Sequence, residues 1–357
     1  MSVMVKTAAI GLDGVPAAVT ALSHVDGGRG ELVIAGSRVD DLAGGTDFEA
    51  LAGRLWRLAG ADNPPALGPL RVKAFERALE IGAVLKGMAP VDGLRAGIAA
   101  LDIPDGPEAA AGVTAAVPVM SLTLKALGEG REPVKPDANL SHAADILRML
   151  RGVPASDAEA AALDAYLVTV SDHGMNASTF ACRVVISTRA SLVSAVTAAY
   201  GALTGPLHGG APGPVLDMLD AIGGEQNIGP WLDDALERGE RLMGFGHRIY
   251  RVRDPRADVL KAALARLAPV SERLDFAVKV ERAAHVKLAA KNRDRALDTN
   301  VEFYTALLLD ALGIPRDMFT PVFAMGRVAG WTAHAIEHHA RKGRLIRPDA
   351  VYDGVMP

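Results

Sequence analysis

The chain has 357 residues, half of them hydrophobic, with 38 basic against 42 acidic side chains and a net charge of −4. That length suggests about two domains around a large core. An ordinary charge content excludes a disordered chain, and a slightly negative one excludes a general attraction to nucleic acid or an anionic membrane. The single cysteine, Cys182, excludes an intrachain disulfide framework and fits a reducing cytoplasm, while aromatics at only 4% favour close-packed helices over a β-sandwich.

Residues Met1 to Ile10 carry Lys6 but no long apolar core or small-residue cleavage site, so no targeting segment is expected. Thr20-Ala-Leu-Ser-His-Val and Glu31-Leu-Val-Ile-Ala flank Asp26-Gly-Gly-Arg-Gly, which reads as a hairpin and as the only sheet. Thr46-Asp-Phe-Glu49 has the form of a capping box ahead of Leu51, Leu55 and Leu58 at helical spacing. The apolar run Ala109 to Met120, interrupted by Thr114 and Pro118, is too short to span a bilayer. Leu140, Ala144, Leu147 and Leu150 form a further stripe, and Ser156-Asp-Ala-Glu159 repeats the capping device before Leu163, Leu167 and Val170. Asp102-Ile-Pro-Asp-Gly-Pro and Arg131-Glu-Pro-Val-Lys-Pro are loops, because proline blocks helix continuation and glycine permits turns. The fold expected is all-α with one short N-terminal hairpin.

Two glycine-rich segments follow, Gly205-Pro-Leu-His-Gly-Gly-Ala-Pro-Gly213 and Gly244-Phe-Gly-His-Arg-Ile. The first lacks the Gly-Lys-Ser/Thr ending of a phosphate loop, and in the second Ile249 stands where a dinucleotide fingerprint needs its third glycine. Each instead places one histidine, His208 or His247, in close-approach backbone. A third, His173, lies in Ser171-Asp-His-Gly-Met-Asn at the end of a helix. His24, His142 and His285 read as surface or structural residues. His334 and His338 share a helix face without the third ligand that a metal site requires, and His339 faces elsewhere. Arg248, Arg251, Arg253 and Arg256 form a run that by itself is an ordinary solvated basic face. Arg327, in the small apolar stretch Phe323-Ala-Met-Gly-Arg-Val-Ala-Gly-Trp331, is expected to meet a carboxylate from elsewhere in the fold or from a ligand.

Taken together, Gly-Pro-Leu-His208-Gly-Gly, Gly-Phe-Gly-His247 through Arg256, Asn300-Val-Glu-Phe-Tyr, Asp-Met-Phe-Thr-Pro-Val-Phe-Ala-Met-Gly-Arg327 and Arg-Leu-Ile-Arg347-Pro resemble citrate synthase. The resemblance covers nearly the whole chain and is closest to the short bacterial citrate and 2-methylcitrate synthases. It implies an all-helical homodimer with a large domain of residues 1–209 and 314–357. An inserted small domain, 210–313, binds acyl-CoA and closes over the cleft. It implies condensation of acetyl-CoA, or propionyl-CoA in the 2-methylcitrate alternative, with oxaloacetate, followed by thioester hydrolysis. No permanent cofactor, metal, nucleic acid or membrane is implied. By the same resemblance His208 stabilises the enol, His247 hydrogen-bonds and protonates the oxaloacetate carbonyl, and Glu302 is the base. His173, Arg256 and Arg327 contact oxaloacetate, Arg347 reaches the site across the dimer, and Arg251 meets the CoA phosphates. The sequence departs from the family pattern at Glu302, where aspartate is usual, at Gly174, where glutamate is common, and at Pro212, where asparagine is frequent. The extra methylene of Glu302 moves its carboxylate by roughly 1 Å unless the backbone compensates, and an uncompensated shift can cost ~10²-fold in rate. A noncatalytic paralogue that senses oxaloacetate or CoA is the reading that Glu302 alone would favour.

Overall fold

The computed structural model describes residues 10–12, 14–209, 212–267, 272–291 and 297–355. The expectations drawn from residues 1–9, and from Gly210 and Ala211 in the His208 turn, fall outside the described residues. The chain opens with a small antiparallel sheet of order β1-β2-β3: β1 (Ser23–Asp26), β2 (Glu31–Ile34) and β3 (Ser37–Arg38). The hairpin turns because Asp26 Oδ1 accepts from the backbone N–H groups of Gly28 and Arg29, at 3.0 and 2.9 Å. The two-residue β3 extends the anticipated hairpin, pairing Ser37 with Ile34.

Helices follow, and they hold 61% of the chain, so the fold is all-α as expected. In order they are α1 (Val39–Leu42), α2 (Phe48–Ala59), α3 (Leu67–Leu85), α4 (Pro90–Ala99), α5 (Ala109–Gly128), α6 (His142–Arg151) and α7 (Asp157–Val170). Next come α8 (Ala177–Ser187), α9 (Leu192–Leu203), α10 (Pro212–Ile222), α11 (Ile228–Glu237), α12 (Pro255–Ala265), α13 (Glu272–Lys291), α14 (Val301–Ala311) and α15 (Phe319–Ala340).

Local signals place most of these ends. The capping box at Ser156 and Glu159 forms at the start of α7 with both reciprocal contacts. The one expected at Thr46 does not form. Asp47 caps α2 instead, accepting from Ala50 N at 2.6 Å, because its carboxylate is the stronger acceptor. Glu49 is drawn away by tertiary partners and accepts from His142 N at 3.1 Å. Leu58 is exposed, and the buried face of α6 is Ala143, Ile146, Leu147 and Leu150, one residue rotated from the stripe that included Leu140 and Ala144. The apolar run Ala109 to Met120 continues unbroken through Thr114 and Pro118 to Gly128. By length and composition α5 could cross a membrane, but 83% of its apolar window is buried inside the protein, against α3, α4, α6 and α15.

The central element is α15. From Pro321 to Ala335 it is buried all round, the pattern of a helix enclosed by others, and it packs on α2, α5, α7, α8 and α9. At Gly330 the end of α7 comes so close that a Cβ would lie 2.3 Å from Ser171 O, and Gly330 N donates to that oxygen at 3.1 Å. This contact brings the segment after α7, which carries His173, alongside the helix that carries Arg327. Trp331 is fully buried, and its indole N–H donates to Ser178 Oγ at 3.1 Å, tying α15 to the start of α8.

Candidate active site

Five chain segments converge. His173 follows α7, His208 precedes α10, His247, Tyr250 and Asp254 lie in the loop leading into α12, and Arg256 is in its first turn. Glu302 is in the first turn of α14, and Arg327 is in the middle of α15. Residues 244–246 zip onto 298–300: Gly246 N donates to Asp298 O at 2.7 Å, Asn300 N donates to Gly244 O at 2.9 Å, and Asn300 Nδ2 donates to Gly246 O at 2.8 Å. Asn300 also caps α14, accepting from Glu302 N at 3.0 Å. The helix start that bears Glu302 is thereby stitched to the turn that bears His247.

The three histidines separate into distinct electrostatic settings. His247 Nδ1 accepts from Ile249 N at 3.0 Å and Tyr250 N at 3.1 Å, so the ring's proton is on Nε2 in its neutral form. His173 is buried, its Nε2 3.1 Å from the Tyr250 hydroxyl, and its ring centroid is 5.8 Å from that of His247. Burial first, and then the charges of Arg256 and Arg327, hold His173 well below the usual imidazole range. Burial and Arg327 push His208 down to about 4, so it is neutral at physiological pH.

The tautomer of His208 is governed by Ser178. His208 Nε2 lies 2.8 Å from Ser178 Oγ, which also accepts from Trp331 Nε1 at 3.1 Å and lies 2.7 Å from Asn176 Oδ1. A serine has one proton to give. When it goes to Asn176, His208 donates from Nε2; when it goes to His208, the imidazole proton moves to Nδ1 and is available to a ligand.

The arginines differ as well. Arg256 is buried yet paired: its Nη2 donates to Asp254 Oδ2 at 2.8 Å and its Nε to Asp254 Oδ1 at 3.0 Å. Asp254 Oδ2 further accepts from Val301 N at 3.1 Å, which fixes the clamp to α14. Arg327 is 1% exposed, donates from Nε to Val170 O at 2.5 Å and lies over the Phe323 ring at 4.9 Å. Among the described residues no carboxylate comes within ion-pair distance of it. Burial first, then the charge of Arg256, lowers its pKa to about 10, against the pull of Asp172. Burial raises the Glu302 carboxyl to about 7, opposed by Arg256. A carboxyl tuned there is a better base than a surface one, and the charge of Arg327 also acts on it.

Other residues of interest take different positions. Arg253 is held by Asp258 at 2.7 Å and Glu281 at 2.9 Å, and so has a structural role. The Arg251 side chain is exposed. Arg347 is exposed in the irregular segment after α15, and among the described residues no hydrogen bond or ion pair joins it to the cluster. Gly174 has φ 58°, a conformation that a glutamate would adopt only with strain. Pro212 is the first residue of α10. His334 is no metal ligand: Arg183 Nη1 donates to its Nδ1 at 2.6 Å, leaving Nε2 to donate to Asp172 Oδ2 at 3.1 Å. Sequence reasoning passed over Ser178, Tyr250, Asp254 and Asp172. Only Asp254 left a local signal, as an acid two residues before an arginine.

The chain was compared with known proteins. The family model described as "Citrate synthase, C-terminal domain" matches residues 11–349. The citrate synthase of Haloferax volcanii is 37% identical, over 96% of this chain and 95% of its own length. The crystal structure of citrate synthase from Thermotoga maritima superposes with a TM-score of 0.83 at 32% identity, over 97% of this chain and 96% of that one. A Thermoplasma acidophilum citrate synthase, solved as a ternary complex with carboxymethyl coenzyme A and oxaloacetate, gives 0.84 at 27% identity, over 98% and 96%. The helical frame that carries Glu302, the three histidines and the two buried arginines is thus one that these relatives share over nearly their whole length, and the chain belongs to the citrate synthase family.

Proposed function

We propose that the site condenses the acetyl group of acetyl-CoA with oxaloacetate and hydrolyses the resulting thioester to citrate and CoA, an acyltransferase reaction. The observation that carries this reading is Arg327, a buried cation with no carboxylate at ion-pair distance among the described residues, whose charge acts on both Glu302 and His208. Oxaloacetate supplies the missing carboxylate, and guanidinium binds it bidentately. The Thermoplasma relative, crystallised with oxaloacetate and a CoA analogue, supports the same ligand pair.

In the first step the Glu302 carboxylate takes a proton from the acetyl methyl group, and the electron pair of the broken C–H bond forms the enol(ate). His208 donates to the developing oxygen. It must do so from Nδ1, which requires Ser178 to turn its hydroxyl proton to Nε2. The enol carbon then attacks the ketone carbon of oxaloacetate. His247, whose Nδ1 is occupied by two backbone N–H groups, donates from Nε2 to the ketone oxygen as it becomes an alkoxide. Arg256 and Arg327 hold the two carboxylates, and His173, fixed by Tyr250, packs beside them. Water finally cleaves the citryl thioester, releasing the CoA thiol. The exposed position of Arg347 fits a homodimer in which it completes the partner's site. Residues 210–313 act as the smaller domain that closes on acyl-CoA, with Arg251 on its exposed edge for the CoA phosphates.

The test is thiol release from acetyl-CoA, followed with a thiol reagent. Release that depends on oxaloacetate is expected, and Glu302→Ala is expected to abolish it while leaving oxaloacetate binding intact. Folded protein that binds oxaloacetate but releases no thiol would replace this reading with a ligand-sensing one.

A further inference from the structure

The two imidazoles that face oxaloacetate in the proposed reaction, His173 and His247, are 74 positions apart in the chain, and the N-terminal hairpin touches the backbone beside both. At one end, Ser23 on β1 brackets His173. Its hydroxyl donates to Asp172 Oδ2 at 2.6 Å and accepts from Gly174 N at 2.9 Å, so the residues on either side of His173 are held by one side chain. Asp172 Oδ2 also accepts from His334 Nε2 at 3.1 Å, which ties the same turn to α15 and hence to the helix of Arg327. At the other end, Gly27 in the hairpin turn accepts at its carbonyl from Arg251 N at 2.8 Å. Gly27 also packs directly on Ile249: a Cβ there would lie 2.2 Å from Ile249 O and 2.7 Å from Ile249 C, so only glycine fits. Ile249 N and Tyr250 N are the donors that orient His247, and the Tyr250 hydroxyl contacts His173.

We infer that the β1–β2 hairpin is a positioning clamp for the keto-acid half of the site, with Ser23 setting His173 and Gly27 setting His247 at a fixed mutual spacing. The inference rests on the citrate synthase reading above and extends it to residues outside the reacting groups. Among the described residues the hairpin's hydrogen bonds reach the histidine turns and none reaches the side chain of Glu302 or His208, so its loss acts on oxaloacetate before it acts on acyl-CoA. Misplacement of reacting groups by an ångström is sufficient to cost ~10²-fold.

The experiment uses the full chain with Ser23→Ala, Ser23→Thr and Gly27→Ala. Arg29→Ala serves as a control at the exposed turn, where its salt-bridge partner among the described residues is Asp26. Steady-state kinetics are run with each substrate varied, alongside amide hydrogen exchange over 171–176 and 247–254. Ser23→Ala is expected to raise the oxaloacetate KM about tenfold with the acetyl-CoA KM unchanged, and to speed exchange at Gly174. Ser23→Thr, which keeps the hydroxyl, restores most of that loss. Gly27→Ala is expected to lower kcat/KM for oxaloacetate ~10²-fold and to speed exchange at Ile249 to Arg251. Unchanged oxaloacetate KM in folded Ser23→Ala and Gly27→Ala, or losses shared equally by both substrates, overturns the clamp. If Gly27→Ala fails to fold, Ser23→Ala and its threonine rescue decide alone. If the wild-type protein shows no turnover, the reaction assigned above is wrong. Exchange accelerated only in these two segments then still supports the clamp, and exchange unaltered in them rejects it.

Discussion

Arg71 and Arg327 are both withdrawn from solvent, at 0% and 1% exposure, and the fold treats them in opposite ways. Arg71 is surrounded by partners. Its Nε donates to Asp145 Oδ2 at 2.9 Å, its Nη1 to His142 Nδ1 at 3.1 Å, and its Nη2 to the carbonyls of Asp137 and Leu140 at 3.2 and 2.8 Å. Burial and the Arg71 charge hold His142 well below the usual imidazole range, so it serves as a neutral acceptor in this network. Arg327 has one carbonyl and an aromatic face. A buried guanidinium satisfied from within cements α3 to α6, whereas one left short of an acid holds binding energy for a ligand. The contrast separates structure from function more sharply than burial or residue type does.

The comparison is open to attack by substitution. The largest effect is expected at the satisfied arginine: Arg71→Met should cost ~3–5 kcal/mol in urea unfolding, because it takes from buried Asp145 one of its two guanidinium partners and leaves His142 and two carbonyls without their donor, while turnover per folded molecule stays near normal. A loss below about 1 kcal/mol would show that the network is not what holds these helices together.

At the unsatisfied end, Glu302 feels the charge of Arg327 and, raised chiefly by burial, titrates at about 7 in the folded chain, above its ordinary value of 4.5. The folded state therefore holds a proton that the unfolded state has released between those two values. Wild-type stability falls as pH rises through that window and is level above about 7. Glu302→Gln removes this dependence, so its advantage in unfolding free energy should grow from pH 5 to pH 8, by on the order of 2 kcal/mol. Parallel pH curves for the two proteins would contradict the assigned environment of Glu302. For the same reason wild-type kcat should rise with pH through about 7 as the base ionises.

Ser178→Ala is a milder test, because it leaves every charge in place and removes only the hydroxyl that sets the His208 tautomer. A fall of roughly 10-fold in kcat with oxaloacetate affinity unchanged is expected. The smallest effect provides a scale for the others. Ser156→Ala removes the exposed α7 cap, remote from both arginines, and should cost ~1 kcal/mol of stability and no activity.

Much of this arrangement was legible in the sequence because it is local. A histidine within glycines or a serine three residues before a glutamate is visible in a short window, and His208 and the α7 box follow from such windows. Arg327 stood out for the same reason, as one charge in an apolar run. What escaped depends on distance in the chain. Ser178 meets His208 across 30 residues, His173 meets Tyr250 across 77, and Ser23 meets Asp172 across 149. None of these serines, tyrosines or aspartates differs in its neighbourhood from an ordinary helix cap or surface residue. The failed box at Thr46 has the same origin: Glu49 matched the local rule but found partners in α6 and Arg71, whose charge is 3.6 Å away. Local preference yields where a tertiary partner is stronger.

The claim that an oxaloacetate carboxylate supplies the acid missing at Arg327 is tested most directly by titrating oxaloacetate into wild type and Arg327→Met by calorimetry, with urea unfolding measured on both proteins. The account predicts saturable binding to wild type and at least ~10²-fold weaker binding to the variant, with a stability that is unchanged or higher because a buried, unpaired charge has gone. Equal affinity in the two proteins, or a variant destabilised as severely as Arg71→Met, would contradict it.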